Sequence, residues 1–83
     1  MLVMYFSWVR ERIGHAEEHI SLPASVHDVS DVIDFLATRG GGYAAAFGER
    51  EKLRAAIDQE FVPLDAPIAG AREIAIFPPV TGG

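Results

Sequence analysis

Eighty-three residues with seven Lys and Arg against twelve Asp and Glu give a formal net charge of −5, and cysteine is absent. That length holds one domain with one small core, and the missing cysteines exclude disulfides, thiolate metal sites and a nucleophilic thiol. Scattered cations exclude a phosphate-binding surface, which needs clustered Lys and Arg to displace counterions; an acidic surface fits solubility and a basic partner equally.

Residues 2–8, Leu-Val-Met-Tyr-Phe-Ser-Trp, are rich in β-formers and open the chain as a strand. Alternation sets Leu2, Met4, Phe6 and Trp8 on one face and Val3, Tyr5 and Ser7 on the other. Both faces are largely apolar, which assigns one to the domain and the other to a partner. The run is too short to span a bilayer and has no basic leader or small-residue cleavage site, so the chain reads as cytoplasmic. Residues 9–13 form a turn or helical connection closed by Gly14, and residues 18–22 alternate as a second strand.

Pro23 and Ala24 break that strand. Ser25 is the expected N-cap of a helix, with Asp28 three positions on to suit the helix dipole. Val29, Val32, Ile33 and Leu36 recur at helical spacing as one apolar stripe. Arg39 and Gly40-Gly41-Gly42 stop the helix. The triple glycine lacks the Lys-Ser/Thr of a phosphate-binding loop and follows a helix, so it reads as a flexible stop. Residues 43–47 form a single helical turn; Leu53, Ala55 and Ile57 alternate as a third strand, and Phe61-Val62 pair back as a short fourth. Pro63 and Pro67 bracket a loop, Gly70 makes a turn, and residues 74–77 form the last strand. Pro78-Pro79 end it, because proline cannot donate to a ladder. This divides the chain into a domain over residues 1–79 and a tail over residues 80–83.

One amphipathic helix crossing one mixed sheet makes a two-layer α+β core. The element order is that of the β-grasp, or ubiquitin-like, architecture.

His15-Ala16-Glu17-Glu18-His19 matches the H-x-x-E-H spacing of an inverted zinc-peptidase motif. That chemistry needs both imidazoles on one helix face. A strand would hold them about 13 Å apart, at roughly 3.3 Å per residue, so the match is read as chance. His27 has no evident partner, no serine sits in a G-x-S-x-G context, and the carboxylates are dispersed. No catalytic side chain, metal site or bound cofactor is expected.

The C-terminus is different. Phe77-Pro78-Pro79-Val80-Thr81-Gly82-Gly83 joins a strand, a stiff proline pair and an unhindered glycine carboxylate. Extended, residues 78–83 reach roughly 20 Å, and two residues without side chains can thread a narrow channel into another protein's site. The segment Glu73-Ile74-Ala75-Ile76-Phe77-Pro78-Pro79-Val80-Thr81-Gly82-Gly83 resembles the C-terminal signature of the ubiquitin-like sulfur carriers, in particular the small subunits of molybdopterin synthase. Val9-Arg10-Glu11, residues 58–62 and Leu64-Asp65-Ala66-Pro67-Ile68 are similar to that family too. Asp58, where relatives often carry Asn, and the loose Gly40-Gly41-Gly42 loop depart from its pattern.

The resemblance implies the following chemistry. An E1-like adenylyltransferase uses ATP to adenylate Gly83, and a sulfur donor, a sulfurtransferase or cysteine desulfurase, converts it to a thiocarboxylate. The charged carrier docks on the large synthase subunit, in a heterotetramer, and its sulfur attacks the cyclic pyranopterin precursor. Gly83 is then the modified residue and Gly82 supplies clearance. Val80 and Thr81 form the tail, while Phe77, Pro78 and Pro79, with Arg10, form the docking surface. If Ile74 and Ile76 meet the helix, Phe77 faces out. Carriers for thiamine thiazole or tRNA thiolation would use the same tail, and a non-covalent ubiquitin-like interaction module would not need it.

Overall fold

The computed structural model describes residues 1–79. Strand β1 (Leu2–Tyr5) leads directly into helix α1 (Ser7–Ile13), and β2 (Glu17–His19) returns antiparallel along β1. Helix α2 (Val29–Ala37) follows, then α3 (Gly41–Ala46) and a 3-10 turn at Arg50–Lys52. The β3 (Arg54–Ile57) and β4 (Glu60–Val62) hairpin comes next, and β5 (Glu73–Phe77) closes the chain's described part. The five strands form one mixed sheet in the order β2-β1-β5-β3-β4, with β5 parallel to β1 and antiparallel to β3. This is the β-grasp architecture.

Strand alternation decides which side chains meet the helices. Val3 and Tyr5 of β1, Ala55 of β3, and Ile74 and Ile76 of β5 face inward and are buried. They pack in one cluster with Val29, Val32, Ile33 and Leu36 of α2. Each such aliphatic side chain contributes on the order of 1.5–3 kcal/mol when taken out of water. Val9, Ile20, Ala46, Phe47, Leu53 and Ile68 complete the cluster.

Several local expectations change. The first strand stops at Tyr5 rather than running to residue 8, because Ser7 adopts φ 55° and turns the chain into α1. Trp8 therefore leaves the strand's outer face and lies on α1, with the Arg12 guanidinium 4.5 Å from its ring. The second strand covers residues 17–19 instead of 18–22. Gly14 at φ 92° ends α1, its N–H donating to the Arg10 carbonyl, a left-handed cap that glycine adopts without strain.

Helix α2 is capped by Asp28, not Ser25. Asp28 Oδ1 accepts from the Asp31 N–H at 2.7 Å, and Asp31 Oδ2 accepts from the His27 N–H at 2.9 Å. This reciprocal arrangement satisfies donors at both sides of the helix start. The loop after β4 supplies more: the Ala66 carbonyl accepts from Val29 N–H at 3.1 Å and the Leu64 carbonyl from Ser30 N–H at 2.7 Å. Ser25 sits in the turn closed by the Val26 N–H on the Pro23 carbonyl, outside the helix.

The triple glycine is not a loose stop. Only Gly40 precedes α3; Gly41 and Gly42 are its first residues, and α3 rests against α1 where Gly42 approaches Arg12.

Candidate functional site

Helices cover one side of the sheet and leave the other open. The register places Leu2 and Met4 of β1, Glu73, Ala75 and Phe77 of β5, Arg54 and Ala56 of β3, and Phe61 of β4 on that outer side. Glu17 and His19 of β2 share it. The centre is apolar and the charges sit at its edges, the layout of a protein-binding surface with a dry core and polar rim.

Phe61 is 81% exposed and Phe6 42%, the only large apolar side chains among the described residues left so open. A buried position stabilises an aromatic ring far more than water does, so such exposure marks a contact surface. Phe61 leans on Phe77, ring centroids 5.6 Å apart. Between the Phe6 and Phe61 walls runs an open groove of about 650 Å³, floored by Met4, Ala56 and Ala75 and ending at Phe77, Pro78 and Pro79. Small residues at positions 56 and 75 make the groove's depth.

The expected docking residues therefore divide. Phe77, Pro78 and Pro79 line the groove, and Phe77 faces outward because Ile74 and Ile76 take the core side. Arg10 is exposed on α1 and is not part of the groove lining. Val80, Thr81, Gly82 and Gly83 lie outside the described residues.

Phe61, Phe6, Met4 and Ala56 were not singled out individually from the sequence. The doubly apolar first strand signalled Met4 and Phe6. Phe61 had no signal of its own, since its exposure follows from an edge strand paired only with β3.

Titratable chemistry gathers elsewhere, on the core side of β2. Tyr5 Oη donates to Glu18 Oε2 at 2.9 Å and Tyr43 Oη to the same oxygen at 2.6 Å. Arg39 Nη1 donates to Glu18 Oε1 at 3.1 Å. Burial of Glu18 works to raise its carboxyl, but the hydrogen bonds from Tyr43, Tyr5 and Arg39 outweigh it and hold the group below the usual carboxylate range. Burial first, then the Glu18 bond, pushes both tyrosines up. The cluster pins an edge strand to β1, to α3 and to the segment joining α2 to α3, and none of its members lines the groove; its role is structural.

Nor do the histidines converge. His15 lies in the turn before β2, His19 on that strand and His27 ahead of α2. Among the described residues no three of His, Cys, Asp or Glu are grouped to hold a metal ion. No helix among them is long and apolar enough to cross a membrane.

A family model described as ThiS family matches residues 3–83. The chain belongs to the ThiS family. It is 40% identical over 81 residues to the molybdopterin synthase sulfur carrier subunit of Haemophilus influenzae, covering 98% of this chain and 96% of that one. The subunit of the same name from Escherichia coli is 36% identical over the same shares. That from Mycosarcoma maydis is 33% identical, with 98% and 90% covered. Among solved structures, the small archaeal modifier protein 1 of Haloferax volcanii superposes with a TM-score of 0.70 at 22% identity, covering 96% of this chain and 97% of that one. A candidate molybdopterin converting factor subunit 1 from Pyrococcus furiosus gives 0.69 at 24%, with 95% of each covered. Both show the fold.

Proposed function

We propose that this chain is a cytoplasmic sulfur carrier of molybdenum cofactor biosynthesis, the small subunit of a molybdopterin synthase. The observation that carries the reading is its identity of 33–40%, over nearly the whole chain, to three proteins bearing that name. The apolar groove ending at Pro78 and Pro79 supports it, because a carrier must dock on its partner beside the point where its tail departs.

In this reading the Gly83 carboxylate attacks the α-phosphorus of ATP in an E1-like partner, releasing pyrophosphate. The outer sulfur of a persulfide on a sulfurtransferase or cysteine desulfurase displaces AMP to give an acyl disulfide, and a thiol reductant cleaves its S–S bond to leave the thiocarboxylate. On the large synthase subunit that sulfur attacks the pyranopterin precursor, and water then cleaves the acyl–sulfur bond, leaving sulfur on the precursor and returning the Gly83 carboxylate for another cycle. The ATP site and the acid-base groups belong to the partners. This chain binds no cofactor and contributes the outer face as the docking surface, the tail as the arm, and the terminal sulfur as nucleophile. Gly82 and Gly83 leave the arm narrow.

Intact mass spectrometry after incubation with ATP, an activating enzyme and a sulfur source tests the reading. One sulfur-for-oxygen exchange at Gly83 is expected, and pterin product on adding the large subunit. A chain lacking Gly83 that still supports product formation at the intact rate would overturn it.

A further inference from the structure

We propose that Asp58 is a positioning residue, clamping the β3–β4 turn to the start of β5 so that Phe61 stands as a fixed wall of the docking groove. The inference rests on the carrier reading above.

The turn joining β3 to β4 is two residues, Asp58 and Gln59, between the paired Ile57 and Glu60. Both adopt positive φ, 48° and 72°. A two-residue hairpin of this hand normally carries asparagine or aspartate followed by glycine; Asp58 suits its position, but Gln59 stands where glycine is usual. Left-handed backbone at two successive side-chain-bearing residues is unfavourable and persists only where surrounding contacts hold it.

Asp58 supplies those contacts. Its Oδ1 accepts from the backbone N–H of Arg72 at 2.9 Å and of Glu73 at 3.0 Å, and its own N–H donates to the Glu73 carbonyl at 3.1 Å. Hydrogen bonds to a charged acceptor are about twice as strong as neutral ones. They fasten the hairpin tip to the strand that leads into Phe77.

The consequence falls on β4. That strand is an edge, paired only with β3, and Phe61 stands almost fully exposed with Phe77 as its aromatic neighbour. Its backbone is held by the ladder opposite Ala56, so the place of its ring follows the placing of the hairpin. The third non-glycine residue with positive φ among those described, Ser7, lines the groove as Gln59 does, next to Phe6. Ser7 and Gln59 thus lie in the lining that holds the two aromatic walls, and Asp58 adjoins Gln59. Fixing the walls before a partner arrives removes an ordering cost from binding.

The test uses Asp58→Ala and Asp58→Asn in the full chain, with the large synthase subunit as binding partner. Asparagine keeps an oxygen to accept both N–H groups; alanine does not. Asp58→Ala is expected to weaken binding about tenfold, the equivalent of ~1.4 kcal/mol, raising the KM for carrier while kcat at saturation holds. Asp58→Asn is expected to stay near the unaltered affinity. Measurements well below each variant's melting temperature, with native near-ultraviolet circular dichroism, separate this from loss of fold. NOE contacts between the Phe61 and Phe77 rings should weaken in Asp58→Ala alone. Equal affinity for the unaltered and Asp58→Ala chains would overturn the clamp and leave the carrier reading standing. Failure of the unaltered chain to bind would overturn both.

Discussion

Gly42 touches the backbone of Arg12: a Cβ at position 42 would fall 1.9 Å from the Arg12 carbonyl oxygen and 2.8 Å from its carbon. No side-chain rotation relieves a clash with backbone, so α1 and α3 would have to separate. Gly42→Ala should cost about 1–3 kcal/mol, the usual range for overpacking, read as a lowered urea midpoint. Around Gly14 there is open space and only its φ of 92° opposes a side chain, so Gly14→Ala should lose about 1–2 kcal/mol from backbone strain alone. Full stability in Gly42→Ala would show that the two helices are not in this contact.

The start of α2 makes a second comparison. Asp28→Ala removes the oxygen that accepts the Asp31 N–H and should cost about 0.5–2 kcal/mol. Ser25→Ala, in the preceding turn, should fall within about 0.5 kcal/mol of the unaltered chain. Leu36→Ala, at a fully buried position on the same helix, should cost about 2–5 kcal/mol. Thermal melts of the three variants rank them.

Acid should loosen the β2 edge. The Glu18 carboxyl is held below its unfolded-state value in the fold, so its stabilisation is fully present above the ordinary carboxylate range and is lost as pH falls through the folded-state value. Glu18→Gln should be less stable at neutral pH by about 1–2 kcal/mol, with the gap closing as pH drops. Denaturation at several acidic pH values checks this; parallel curves for the two chains would contradict it.

Binding and stability should separate at Phe61. Its side chain is mostly in water already, so Phe61→Ala should change stability by less than about 1 kcal/mol. If the outer face docks the large subunit, the same substitution should cost about 2 kcal/mol or more of binding, as buried aromatic anchors do. Calorimetric titration alongside a melt measures both.

Periodicity by itself grouped the side chains into faces, and the structure decided which strand faces enter the core. The spacing of Val29, Val32, Ile33 and Leu36, and the alternation that sets Ile74 and Ile76 opposite Phe77, depend only on how a helix or strand repeats. A proline stop after β5 and the Gly82-Gly83 ending were likewise legible without coordinates, since proline's missing donor and glycine's missing side chain are properties of single residues. What an element lies against is not contained in its own pattern. The parallel seating of β5 on β1, the approach of Phe61 to Phe77, the Ala66 and Leu64 carbonyls that finish the α2 start, and the Gly42 contact all join residues distant in sequence. Asp58 tolerates a left-handed turn, but Gln59 in the place where glycine is usual hid it; contacts with Arg72 and Glu73 hold that conformation. Long-range pairing outweighed local preference there, and so tertiary structure decided where the outer groove has its walls.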